Sequence, residues 1–223
     1  NNDIVGGAAG EGGQRQPASV RVFSAGDDGG PSRRLARYAA VLADRYADAL
    51  AAPAGPLAVE VVPQPDRPGQ DGDHLAFTDA GFPAIRLVDA VEDMHHQHDP
   101  SDTPDRLDPE YHAAVVRLNV ALAANLALAP PGEVGAPRIV AESSPPGRYR
   151  VSWDALADPV AGYYVAWRRA GNASYAAVTW SATTEAVLDG LPTGAGEGGD
   201  VRVAVAAGDD LGHMGVFGAE AGR

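Results

Sequence analysis

The sequence predicts two consecutive folds, an α/β three-layer sandwich over residues 1–129 and an all-β sandwich over residues 136–223, with a linker at 130–135. Three observations predict this. Strand-like and helical stretches alternate up to about residue 128, where the Pro/Gly-rich stretch LAPPGEVGAP (128–137) breaks the helical period; beyond it, apolar residues recur at every second position. The chain has 223 residues, 45% of them hydrophobic, enough to bury two cores.

In chain order, the β-branched runs ASVRVFSAG (18–26), LAVEVVP (57–63) and FPAIRLVDA (82–90) read as strands of a mainly parallel sheet covered on both faces. Sites in such sheets gather at the loops leaving the strands' carboxyl ends. Between the first two runs, PSRRLARYAAVLADRYADAL predicts a helix with Leu35, Tyr38, Ala39, Leu42, Tyr46, Ala49 and Leu50 on one apolar face. Arg34, Arg37, Asp44 and Asp48 fall mostly outside that face, and Pro31 suits a first turn. A second helix is predicted in LDPEYHAAVVRLNVALAANLALA, capped by Asp108, with Pro109 at its first position and a stripe of Tyr111, Val115, Leu118, Leu122 and Leu126. Its apolar girth predicts that it is well buried.

In the second part, RYRVSWDA, GYYVAWRRA, ASYAAVTWSA, TEAVLDGL and DVRVAVAAGDD are short strands parted by turn residues, the pattern of a β-sandwich. Tyr163, Val165 and Trp167 share one face of a strand. Trp153, Tyr163 and Trp167 are expected to fill the space between sheets rather than to form a carbohydrate platform.

The formal net charge of −13 disfavours nucleic acid and anionic membrane surfaces, both of which repel an acidic protein. No apolar run of the roughly 20 residues needed to span a bilayer is expected. The opening NNDIVGG lacks an initiator Met and the basic, then apolar, start of a signal peptide, so the chain reads as processed or incomplete. Without cysteine, any zinc must be held by imidazole and carboxylate.

EDMHHQHDPSDTPDRLD (92–108) carries three of the six histidines among carboxylates. Taken alone it reads either as a metal-binding loop or as a solvated acidic turn, and Asp3 alone as a strand-end Asp forming a turn with Gly6 and Gly7. Asp102 reads as the cap of the SDTPD turn, and His112 and His213 as ordinary exposed or partly buried residues.

Taken together and in order, NNDIVG (1–6), GDHLAFTDAGFPAI (72–85) and HDPSDT (98–103) resemble the C-terminal part of the catalytic domain of the two-zinc aminopeptidases, a family of zinc exopeptidases. The resemblance spans about residues 1–129. It implies that Asp3 binds one zinc and His98 the other, with His96 as the alternative to His98. It also implies a peptide or protein substrate and a water activated by two zinc ions. Asp73 and His74 match a motif near the site rather than the ligand set, and Phe77 and Phe82 are expected to pack. The family's earlier His-x-Asp motif, its metal-bridging Asp and its Glu pair with the general base have no counterpart here. No catalytic residue is therefore assigned in this chain, which is expected to be inactive by itself. Gln97 stands where many relatives place a Tyr that stabilises the oxyanion.

Trp153, AGYYVAWR (161–168), LDGL (188–191) and VRVAVAAGDDLGHMG (201–215) resemble a fibronectin type III domain, except that Asp200 and Val201 replace its usual corner Tyr. The pairing of two such domains suggests an extracellular or secreted protein whose sandwich meets an extracellular partner. The alternative reading is a non-catalytic binding or adhesion protein with an inactive peptidase-like scaffold.

Overall fold

A computed structural model describes residues 1–193 and 200–222. The chain divides into two compact units, Asn1–Leu122 and Ala123–Arg223.

In the first unit, β1 (Ser19–Phe23) leads to α1 (Pro31–Arg45), a small hairpin of β2 (Ala51–Ala52) and β3 (Gly55–Pro56), then β4 (Ala58–Val62). There follow the short helix α2 (His74–Asp79), β5 (Arg86–Asp89), a 3-10 turn at Pro104–Arg106 and α3 (Pro109–Leu128). The sheet order is β4-β1-β5. Along β1, Val20 and Val22 point one way and Phe23 the other, and all three are buried, so both faces of the sheet are covered as an α/β layer requires. The sheet is mixed rather than mainly parallel: β4 runs parallel to β1, but β5 runs antiparallel to it. A period-two pattern gives the face of a side chain and not the direction of its strand, so this reversal was invisible in the sequence. Asn2 forms a parallel bridge with Leu87, laying the first residues along the free edge of β5.

Helix α1 ends at Arg45, and Pro31 occupies its first turn as expected. Arg34 and Arg37, expected mostly outside the apolar face, are buried, and so is Arg33. Arg33 donates to Ser24 Oγ and to the Val62 carbonyl, and Arg37 to the Asp28 carbonyl. Their charged ends thus satisfy loop oxygens that apolar side chains would have left unpaired.

Helix α3 starts as predicted, with Asp108 Oδ1 accepting from the Tyr111 N–H at 3.1 Å. Tyr111, Val115, Leu118 and Leu122 are buried, yet Val116, Val120, Leu126 and Leu128 are exposed, so the helix is not buried around its girth. By length and composition alone it is long and apolar enough to cross a bilayer. A core helix with one buried stripe passes the same test.

The second unit contains β6 (Arg138–Ala141), β7 (Tyr149–Ser152), β8 (Gly162–Arg169), β9 (Ala177–Ser181), β10 (Glu185–Leu188), β11 (Val201–Gly208) and β12 (Ala221–Gly222). They form two antiparallel sheets, ordered β10-β7-β6 and β12-β11-β8-β9, the two-sheet arrangement expected of a fibronectin type III-like sandwich. Trp153 and Tyr163 meet edge-on in the core, ring centroids 5.3 Å apart, beside Val151, Val165 and Val203. Val134, in the stretch expected as a linker, is buried in the same core. Arg168 and Glu220, both buried, form a two-pronged ion pair at 2.9 and 2.6 Å.

Candidate metal centre

Residues 1–7 are fastened to β5 along its length. The Asp3 N–H donates to the Leu87 carbonyl, the Leu87 N–H to Asn1 and the Asp89 N–H to Ile4. Arg86 adds a side-chain grip: Nε donates to the Asp3 carbonyl at 2.5 Å, and one terminal nitrogen donates to Asp3 Oδ2 at 2.8 Å. The Asp3 side chain is 50% exposed. At the far end of β5, the Asp89 carboxylate accepts from the Gly6 N–H at 3.0 Å and the Gly7 N–H at 2.8 Å. Gly6, at φ 132°, takes a backbone shape that other residues resist.

A cavity of about 590 Å³ opens beside this segment. It is lined by Ile4 to Gly7, by Asp89, Glu92 and Asp93, and by His96, Gln97 and the 102–107 turn. Asp3 and His98 do not line it. His96 is partly buried and its Nδ1 lies 2.8 Å from Ser101 Oγ. His98 is exposed and sits at φ 59°, a left-handed backbone conformation uncommon outside glycine. No described residue hydrogen-bonds to His98. Asp102 lines the cavity instead of capping the turn, whose N-cap position is Thr103, without a side-chain cap bond. His74 is buried, with Nε2 2.7 Å from the Pro65 carbonyl, as befits a supporting residue rather than a ligand. Phe77 and Phe82 do not pack; they are 60% and 63% exposed. Helix α2 has only six residues, and its one buried residue is His74.

The sequence reading missed Asp89, Arg86 and Glu11. Burial pushes the Asp89 carboxyl up to about 6, and Glu92 adds to this, against the lowering effect of the Gly6 and Gly7 N–H groups and the Tyr111 hydroxyl. Glu92 is neutralised by Arg21 and Arg67. Glu11, Asp93 and His95 bring ligand atoms within 4.8 Å of one another on the exposed side of the His loop. No local pattern could have marked these residues, because their partners lie far away in sequence.

The donors available suit zinc: an unengaged Asp3 Oδ1, a His98 imidazole with both nitrogens open, and no competing thiolate. Comparison with known proteins bears on the same segment. Residues 25–123 match peptidase family M28. Curated relatives overlap this M28-like segment. A "Probable zinc metalloprotease" of Pyricularia oryzae is 30% identical over 203 residues, covering 75% of this chain and 38% of that protein. Another from Leptosphaeria maculans is 30% identical over 198 residues, covering 75% of this chain and 43% of that protein. The chain thus spans about two-fifths of the length of the curated relatives it matches. Among solved structures, a Fn3-like protein of Clostridium thermocellum is 20% identical with a TM-score of 0.34, covering 40% of this chain and 86% of that one. The FN3 domain of human collagen XX is 16% identical with a TM-score of 0.33, covering 43% of this chain and 93% of that one.

Proposed function

We propose that this chain is the C-terminal part of a zinc-dependent exopeptidase domain, of aminopeptidase type, and that Asp3 and His98 are its contributions to a two-zinc site. His96 is the alternative to His98. The observation that carries the reading is the state of Asp3. One of its carboxylate oxygens is held by a buried guanidinium, while the other faces outward with no partner among the described residues. The M28 match and the zinc metalloprotease relatives give that carboxylate a chemical context.

Bound zinc would polarise the scissile carbonyl and lower the pKa of water. The chain's own residues do the rest of what can be assigned to them. Segment 1–7, pinned to β5, fixes Asp3; the loop 95–103 presents the imidazoles; the acidic cavity beside Gly6 and Gly7 offers room for a peptide with a free, cationic terminus. Terminal peptides are the substrate class that this charge favours. A secreted location and an extracellular partner for the sandwich belong to the same proposal.

The experiment is a zinc titration of the chain followed by backbone amide resonances, for the parent and for Asp3→Ala, His98→Ala and His96→Ala. Losing a direct ligand is expected to weaken binding by more than the roughly tenfold that follows loss of a supporting hydrogen bond. Asp3→Ala and His98→Ala should both show this, and His96→Ala should not. Unchanged zinc binding in both Asp3→Ala and His98→Ala would remove them from the site.

A further inference from the structure

The Asp3 carboxylate is the surface end of a buried polar chain. Arg86 is only 2% exposed, and its guanidinium reaches out to the half-exposed Asp3. Its remaining terminal nitrogen pairs with Asp66, another buried residue. Asp66 in turn accepts from the Arg67 N–H and the Gly72 N–H, each at 2.7 Å. Burial pushes the Asp66 carboxyl up, but those two N–H groups and Arg86, by hydrogen bond and by charge, outweigh it and hold it below the usual carboxylate range. Asp66 is therefore a firm anion beneath the guanidinium.

Gly72 completes the arrangement. A Cβ there would lie 2.6 Å from Arg86 Cδ and 2.8 Å from both an Arg86 terminal nitrogen and His74 Nδ1. Only glycine lets the 72–74 turn close over the arginine. Burying a guanidinium and a carboxylate carries a desolvation cost of several kcal/mol per ion. The backbone pairing of Asn1 and Asp3 with Leu87 already holds the segment to β5. What the arginine adds is orientation, since it grips the carbonyl and the carboxylate of the same residue.

We propose that Arg86 is the positioning residue for Asp3 as a metal ligand, its guanidinium occupying Oδ2 so that Oδ1 is the oxygen turned to the metal. Asp66 and Gly72 hold Arg86 in turn. This rests on the zinc-ligand reading of Asp3 given above. Ligand carboxylates whose second oxygen is fixed in this way bind metal more tightly, and loss of such support costs about 10- to 100-fold in affinity.

The test is a double-mutant cycle read by zinc titration of backbone amides near residue 3, using Arg86→Lys and Asp3→Ala, singly and together. Lysine keeps the charge beside Asp66 and so keeps the fold, but it cannot bridge two atoms of Asp3 and Asp66 at once. Arg86→Gln and Asp66→Asn extend the series where their spectra show an intact fold. Arg86→Lys is expected to weaken zinc binding about tenfold in the parent and less than about twofold in the Asp3→Ala background. Any loss of stability should be similar in both backgrounds. Equal losses of affinity in the two backgrounds, or none in either, would overturn the proposal. If Asp3→Ala alone leaves zinc binding unchanged, the ligand reading itself fails and takes this one with it.

Discussion

Asp89 holds two N–H groups with its two oxygens while almost wholly buried, and the balance of those effects sets its acidity. A carboxyl raised from its ordinary value of 3.8 to about 6 binds its proton more readily folded than unfolded. The native state therefore holds more protons than the unfolded chain between about pH 4 and pH 6. Over that window the group's contribution to stability falls as pH rises, by up to about 3 kcal/mol. An Asp89→Asn variant has no such proton to lose. Urea midpoints measured from pH 4 to pH 7 should fall less steeply with pH for the variant than for the parent; parallel curves would refute this. At the same scale, Asp3, His98 and the Gly-Asp-His motif draw attention in the sequence because each belongs to a local string of residues. Arg86 and Asp89 stand in the sequence only as members of the strand run FPAIRLVDA (82–90). Their meaning lies in contacts to residues 82 or 83 positions away, and no local period encodes such a partner.

Helix α3 shows what periodicity does and does not reveal about an element. The cap at Asp108 and the stripe through Tyr111, Val115, Leu118 and Leu122 were legible and are present. The extent of burial was not, because an apolar residue in the sequence does not say whether a neighbour covers it. Leu118 is fully buried and Val120, two residues on, is 62% exposed. Leu118→Ala should cost the first unit about 2–5 kcal/mol in urea unfolding. Val120→Ala should stay within about 0.5 kcal/mol, and a comparable loss in both would mean that the outer stripe is covered too. Helix α1 gives the converse case. Its buried arginines look like surface residues in the sequence, and only loop carbonyls brought near by the fold explain them.

For the whole molecule, the change from helical to alternating period located two folds, and the sandwich topology followed. The boundary was less legible, since the compact units part between Leu122 and Ala123, within α3, whereas composition drew attention to the prolines after it. Chemistry follows the same logic of what is and is not in the chain. The 223 residues contain neither a His-x-Asp triplet nor a Glu-Glu pair, so under the proposed function this polypeptide by itself has part of a ligand set and no general base. Incubated with zinc and short peptides or aminoacyl chromogenic amides, the purified chain should release no amino-terminal residues above background. Robust release abolished by a chelator would contradict that expectation.

The fastening of residues 1–7 to β5 also sets an order of assembly in time. Asp89 and its two glycine partners are 82 and 83 residues apart, so their loop closes only after everything between has been made. At about 5–20 residues per second of synthesis, the interval is on the order of 4 to 17 s. During it β1, α1 and β4 can already dock, while the segment bearing Asp3 has no strand to join. The segment to which we assign the Asp3 ligand therefore takes its place only after β5 has been made, although it is the first part of the chain to be synthesised.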